Sequence, residues 1–239
     1  MKFSINQKRI YFISFFVCFS ILLYVIMYNM GLRNEYIQVN ATPIANKTIV
    51  IDAGHGLPDS GASSFNGTTE QAINLSIALK LQKIIEQSGA KVILTRSDEN
   101  GIYSTDSTSI RNKKVSDIKN RVEIGNNSDA DIFVSIHLNK IPQSQYWGWQ
   151  CFFKSNNEQS QKLANSLQNS LNQSIQKNNK RVAMKLDDVY IMKHVEIPIS
   201  IVECGFLSNV EEEKQLLEDE YQNKLAWGIY TGIMDYFYT

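Results

Sequence analysis

The chain has 239 residues, 43% hydrophobic and 20% charged, with 12 Gly and 4 Pro, a composition that excludes collagen-like, low-complexity and wholly disordered classes. Its 24 basic and 24 acidic side chains balance, but Lys2, Lys8, Arg9 and Arg33 fall in an acid-free first 34 residues, leaving 20 basic against 24 acidic groups beyond them. That slight acidity argues against a nucleic-acid partner, and three Cys, one of them in an apolar run, are too few for a disulfide scaffold.

Residues 1–9 read as a basic stub. Residues 10–30, IYFISFFVCFSILLYVIMYNM, carry no charge and no polar stripe. At 1.5 Å per residue such a run crosses a bilayer core of about 30 Å. The basic residues before it place the stub in the cytoplasm and the following chain outside. A cleaved signal has a shorter apolar core, about 7–15 residues, closed by a small-x-small site. The nearest such triplet, Val39-Asn40-Ala41, lies far past the run. Its length favours an uncleaved membrane anchor, and either reading exports the rest. Residues 31–46 are polar and aperiodic and read as a tether to a domain at 47–239.

Within that domain, strand and helix signals alternate. Residues 47–54, 90–96, 131–138, 148–154, 189–193 and 199–205 are short β-branched or aromatic runs, predicted as six strands. Helices are predicted at 68–89, where Ile73, Ile77, Leu81 and Ile84 fall near helical spacing, and at 115–127, 157–178, 210–219 and 220–237. Residues 97–116 are polar and read as a long loop. The pattern predicts a single α/β domain with a six-stranded, mostly parallel sheet flanked by helices, preceded by a transmembrane helix.

Two of the three His sit at strand ends: His55 follows IVIDAG and His137 closes DIFVSI. Glu203 ends ISIVE, and Glu70 lies in the first turn of the helix after the His55 loop. Open α/β sheets build sites beyond the carboxyl ends of their strands, so these four side chains converge on one edge. Two His and one carboxylate suit a catalytic zinc ion, and a further Glu can then work on water. Asp52 precedes His55 by three and is a candidate to orient its ring. His194 and Arg121 read as structural, and alternation turns Cys204 away from Glu203 as a buried small hydrophobe. Glu211–Glu213 favours a helix start.

IVIDAGHG, the Glu70 helix TEQAINLSIALKL, VILTR, ADIFVSIHLN and IVECGFLSN, in that order, closely resemble the zinc-dependent N-acetylmuramoyl-L-alanine amidases of the amidase-3 family. The likeness spans residues 48–237, and IRNKKVSDIKNRVEIGNNSDAD, SIHLNK and VYIMKHVEIP are similar to its spore-cortex members. The resemblance implies one zinc ion held by His55, Glu70 and His137, with Glu203 as the catalytic carboxylate. It also implies a peptidoglycan substrate, a role in spore-cortex maturation through muramic-δ-lactam formation, and a protein regulator that stabilises zinc binding. Leu57 replaces a common Gly, and Lys140 a common small residue, which touches substrate fit more than the reaction.

Two rivals keep different signatures. A zinc carboxypeptidase would need a cation for the substrate's terminal carboxylate; no Arg or Lys is clearly placed for that in sequence, although Lys140 is a candidate. A tethered wall-binding module would tolerate loss of the ligands, yet all four positions are filled. Finally, residues 56–69, GLPDSGASSFNGTT, carry little apolar surface and are expected to be mobile. Zinc would then have to order them, and a partner docking there would raise zinc affinity.

Overall fold

The computed structural model describes residues 7–35 and 42–238 and divides into two compact units at residues 41 and 42. The first contains helix α1, Gln7–Glu35, of 29 residues. Its side chains from 9 to 28 are exposed, and Arg9–Tyr28 is long and apolar enough to cross a membrane. The helix begins inside the expected stub and runs through residues 31–35 of the expected tether. Residues 1–6 and 36–41 lie outside the described residues.

The second unit starts earlier than expected. Residues 42–46 dock on it: Ile44 is fully buried, Thr42 Oγ1 donates to the Ser88 carbonyl at 2.6 Å, and Asn46 N–H donates to Gly89 O at 3.0 Å. One isoleucine and two hydrogen bonds make no periodic pattern, so the segment reads as tether in sequence.

Among the described residues, one six-stranded sheet forms the centre, ordered β2-β1-β3-β6-β4-β5. Its strands are β1 (Thr48–Ala53), β2 (Lys91–Leu94), β3 (Ile132–Asn139), β4 (Gln150–Phe153), β5 (Met184–Lys185) and β6 (Ile199–Phe206). β2, β1, β3 and β6 are parallel, and β4 runs antiparallel to β6. The helices are α2 (Glu70–Gln87), α3 (Ile110–Asn126), α4 (Glu158–Ser174), α5 (Tyr190–His194), α6 (Val210–Leu216) and α7 (Asp219–Tyr238).

Period-two alternation sorts the strand residues into two cores. Ile49, Ile51, Val134, Ile136, Val202 and Cys204 pack with α2, α4 and α7. Val50, Phe133, Ile199 and Ile201 pack on the other face with Val122 of α3 and Ile191 and Met192 of α5. By the same alternation Asp52, Ser135, His137 and Glu203 belong to the α3 face. Cys204 is buried on the opposite one, as expected, and Cys151 and Cys204 are both free thiols that burial pushes well above the usual range.

Two elements differ from expectation. The run at 189–193 is not a strand but helix α5, closed by Val195 N–H to Ile191 O at 3.0 Å. An apolar run of five residues has no resolvable period. The sixth strand is instead β5, two residues long, beside β4. Helix α3 begins five residues early, because Ser109 caps it by accepting from Asn112 N–H at 3.1 Å.

Candidate metal centre and catalytic carboxylate

β1 ends at Ala53 and the chain turns at once into the His55 loop. His55 itself has a positive φ of 63°, a conformation that costs a non-glycine residue energy and needs surrounding structure to hold it. Two buried arginines supply that hold. Arg96 donates to Ala53 O at 2.8 Å and to Gly54 O at 3.1 Å. Arg121 donates to Ala53 O at 2.8 Å and to the His55 carbonyl. The three carbonyls that aim His55 are therefore each fixed by a guanidinium.

Glu70, in the first turn of α2, is the hub. Its Oε1 lies 3.3 Å from His55 Nε2 and 2.9 Å from His137 Nδ1, and accepts from Leu138 N–H at 3.0 Å. Its Oε2 accepts from Ala62 N–H at 2.8 Å. One atom from each of His55, Glu70 and His137 lies within 4.8 Å of the others, so the trio can hold a metal ion. Two glycines make room for it. A Cβ on Gly54 would collide with the His137 ring, and one on Gly61, at φ +67°, would lie 2.6 Å from Glu70 Oε2.

Charge reinforces the geometry. Burial pushes the Glu70 carboxyl up, but both imidazoles beside it outweigh that and hold it well below the usual range. Burial pushes His55 down, while the hydrogen bonds and charges of Asp59 and Glu70 raise it to about 9. Glu203 stands opposite His137 in the β3–β6 register and on the same face. Its Oε2 is out of solvent and has no hydrogen-bond partner among the described residues. Burial raises this carboxyl to about 7, with His137 opposing and Glu70 adding to the shift. A buried carboxylate oxygen left unpaired beside a metal-binding trio is placed to handle a proton.

A family model for N-acetylmuramoyl-L-alanine amidases of the amidase-3 type matches residues 49–235. The chain belongs to this family. It is 32% identical to the germination-specific N-acetylmuramoyl-L-alanine amidase of Bacillus subtilis over 97% of this chain and 96% of that protein. It is 46% identical to the CwlD amidase from Clostridioides difficile, solved in complex with the GerS lipoprotein, covering 80% of this chain and 98% of that one at a TM-score of 0.78. The catalytic domain of the amidase CwlV from Bacillus (Paenibacillus) polymyxa is 31% identical, covers 80% of this chain and 97% of that one, and gives a TM-score of 0.68. The chain is thus an N-acetylmuramoyl-L-alanine amidase, a CwlD-like member of the family, and hydrolyses the amide between N-acetylmuramic acid and L-alanine.

All four expected site residues of this amidase meet at one sheet edge, while other expectations are corrected. Asp52 does not orient His55. Alternation puts it under the sheet edge, where Oδ1 accepts from Thr95 Oγ1 at 2.7 Å and from Arg121, and Oδ2 from Ser135 Oγ. The carboxylate on His55 is Asp59, whose Oδ2 lies 3.0 Å from Nδ1, with Lys114 Nζ 2.6 Å from Oδ1. Asp59 sits in a polar loop with no period, so sequence could not separate it from Asp52. Holding Nδ1 leaves Nε2 able to take a metal ion, an arrangement that raises ligand basicity. Asp59→Asn is expected to weaken Zn²⁺ affinity about 10–100-fold, read by competition with a chromogenic chelator. Unchanged affinity would remove Asp59 from the site.

Loop 56–69 is also fastened rather than loose. Ser63 O accepts from Lys140 Nζ, Asn66 Nδ2 and Thr68 Oγ1 donate to Glu213 at 3.0 and 2.7 Å, and Leu57 N–H donates to Glu99 O at 2.8 Å. Lys140 is thereby engaged in the loop, and the Glu211–Glu213 run does more than favour a helix start. His194 lies just before β6, at the opposite sheet edge, with its ring stacked on Tyr190 at 3.9 Å; it takes no part in the site.

Proposed function

We propose that this amidase is a zinc enzyme with one ion per chain, held by His55, Glu70 and His137, and that Glu203 carries the proton. The observation that carries the reading is the convergence of three ligand atoms within 4.8 Å beside the unpaired Glu203 Oε2. Two imidazoles and a carboxylate are the donor set of a three-ligand catalytic zinc site. A zinc ion held there supplies Lewis acidity toward the scissile carbonyl and lowers the pKa of water. Glu203 takes the proton of the attacking water and passes it to the leaving amine of L-alanine. Asp59 keeps the His55 tautomer fixed, and Arg96 and Arg121 keep its backbone in place throughout.

The same reading places the domain in the peptidoglycan of spores. Likeness to the germination-specific amidase of Bacillus subtilis supports a role in cortex maturation, where removal of the stem precedes muramic-δ-lactam formation. The apolar helix α1 supports a membrane anchor or export signal with the domain outside the cytoplasm, at the forespore envelope in a sporulating cell. The CwlD amidase from Clostridioides difficile was solved with the GerS lipoprotein, which supports a protein partner for this chain as well. The test is mass spectrometry of peptidoglycan digested by the full chain with zinc, then with chelator. Intact stem peptides with a new L-alanine amino terminus, lost on chelation and restored by zinc, are expected. Release of single D-amino acids, or activity indifferent to chelator, would refute the reading.

A further inference from the structure

One groove lies outside the ligand trio but on the same sheet edge. Because β4 runs antiparallel to β6, the start of β4 and the segment entering β5 meet the carboxyl end of β6. There Tyr146, Trp147, Asn178, Asn179, Lys180 and Arg181 line an open groove of about 410 Å³. Register ties it to the chemistry. Gln150 stands directly opposite Glu203, so the two side chains share a face. Arg181 Nη1 donates to Gln150 Oε1 at 3.2 Å, which sets the guanidinium one side chain away from the proton carrier.

The groove is built for an anion. Arg181 Cζ lies 4.9 Å from the Phe206 ring centre and 5.9 Å from that of Tyr146, and its Nε donates to Trp147 O at 3.4 Å. Its Nη2 makes no hydrogen bond among the described residues. Lys177 Nζ lies 5.9 Å from the Trp147 ring and 5.1 Å from Tyr221. Glu212, the carboxylate that interacts with Lys177 and Arg181, is buried and accepts from the N–H groups of Gly148 and Phe206. Sugars dock by stacking on open aromatic faces, but these rings already carry cations. The glycan offers neutral hydroxyl and amide groups, whereas the stem peptide carries free carboxylates at its D-glutamyl residue and its C-terminus.

We propose that this groove binds the acidic stem peptide of the substrate, with Arg181 receiving a stem carboxylate and Lys177 and Lys180 adding positive field. A guanidinium supplies the paired donors that match a carboxylate. The stem would then lie over β4 while the scissile amide sits between Glu203 and the ligand trio. The inference rests on the amidase reading of the site.

The test compares two substrates on the zinc-loaded full chain: a disaccharide-tetrapeptide, and N-acetylmuramoyl-L-alanine amide, which has no carboxylate. Arg181→Met is expected to lower kcat/KM on the first about 10–100-fold, the loss of one charge-assisted hydrogen bond. It should leave the second, and zinc content, nearly unchanged. Arg181→Lys should recover part of the loss, and added salt should slow only the tetrapeptide substrate in wild type. Equal losses on both substrates would mean that Arg181 merely supports Gln150, and no loss on the first would empty the groove of this role; either overturns the proposal. Failure of zinc-loaded wild type on both substrates would instead overturn the amidase reading, and the inference with it.

Discussion

The Glu203→Gln protein is expected to bind zinc as well as wild type and to turn over about 10²–10⁴-fold more slowly. The substitution keeps the shape of the side chain and removes its ability to take a proton. The Glu203 side chain stands opposite His137 across β3 and β6, its Oε2 buried and without a hydrogen-bond partner among the described residues. Burial raises its carboxyl to about 7, near the pH where a group both takes and returns a proton readily. Zinc content and turnover measured on one preparation separate the roles. Loss of the metal in Glu203→Gln would make this residue a ligand and leave no free carboxylate beside the trio to carry the proton.

Arg121→Met should cost roughly 3–5 kcal/mol of stability, the usual effect of breaking one partner out of a buried ion pair. Arg121 is 1% exposed and Asp52 also 1%, so neither charge has water to fall back on. The guanidinium spans Asp52, the carbonyls of Ala53 and His55, and Asp117, whose Oδ2 accepts from Nε at 2.6 Å. Burial pushes the Asp52 carboxyl up, but Arg121, His137 and the hydroxyls of Ser135 and Thr95 together outweigh it, and the carboxyl lies below its ordinary value. That contribution is therefore present at neutral pH and lost as pH falls through the folded-state value. Urea unfolding at pH 7 checks the magnitude. Pairing Arg121→Met with Asp52→Asn should recover part of the loss by removing the stranded charge. A cost under 1 kcal/mol would show that the pair does not brace the site.

Much of this was legible from residues. β1, β3 and β6 read as apolar runs because both their faces are covered, and each delivers a site residue near its carboxyl end. His55, Glu70, His137 and Glu203 follow from that placement. What sequence hid was the support around them. Asp59 acts through a loop conformation, and Arg96 and Arg121 through carbonyls contributed by a different strand, so none has a local signature. The chain between 42 and 46 docks by one isoleucine and its backbone, and α5 and β5 are too short for a period to distinguish helix from strand. Loop 56–69 looked free because its ties are to distant partners, Glu99, Lys140 and Glu213.

Anomalous diffraction at the zinc edge, from crystals of the protein grown with zinc, tests the assignment of the site most directly. A single peak is expected about 2.0–2.2 Å from His55 Nε2, a Glu70 oxygen and His137 Nδ1, with Glu203 unbonded to it. A peak elsewhere, or Glu203 in the coordination sphere, would contradict it.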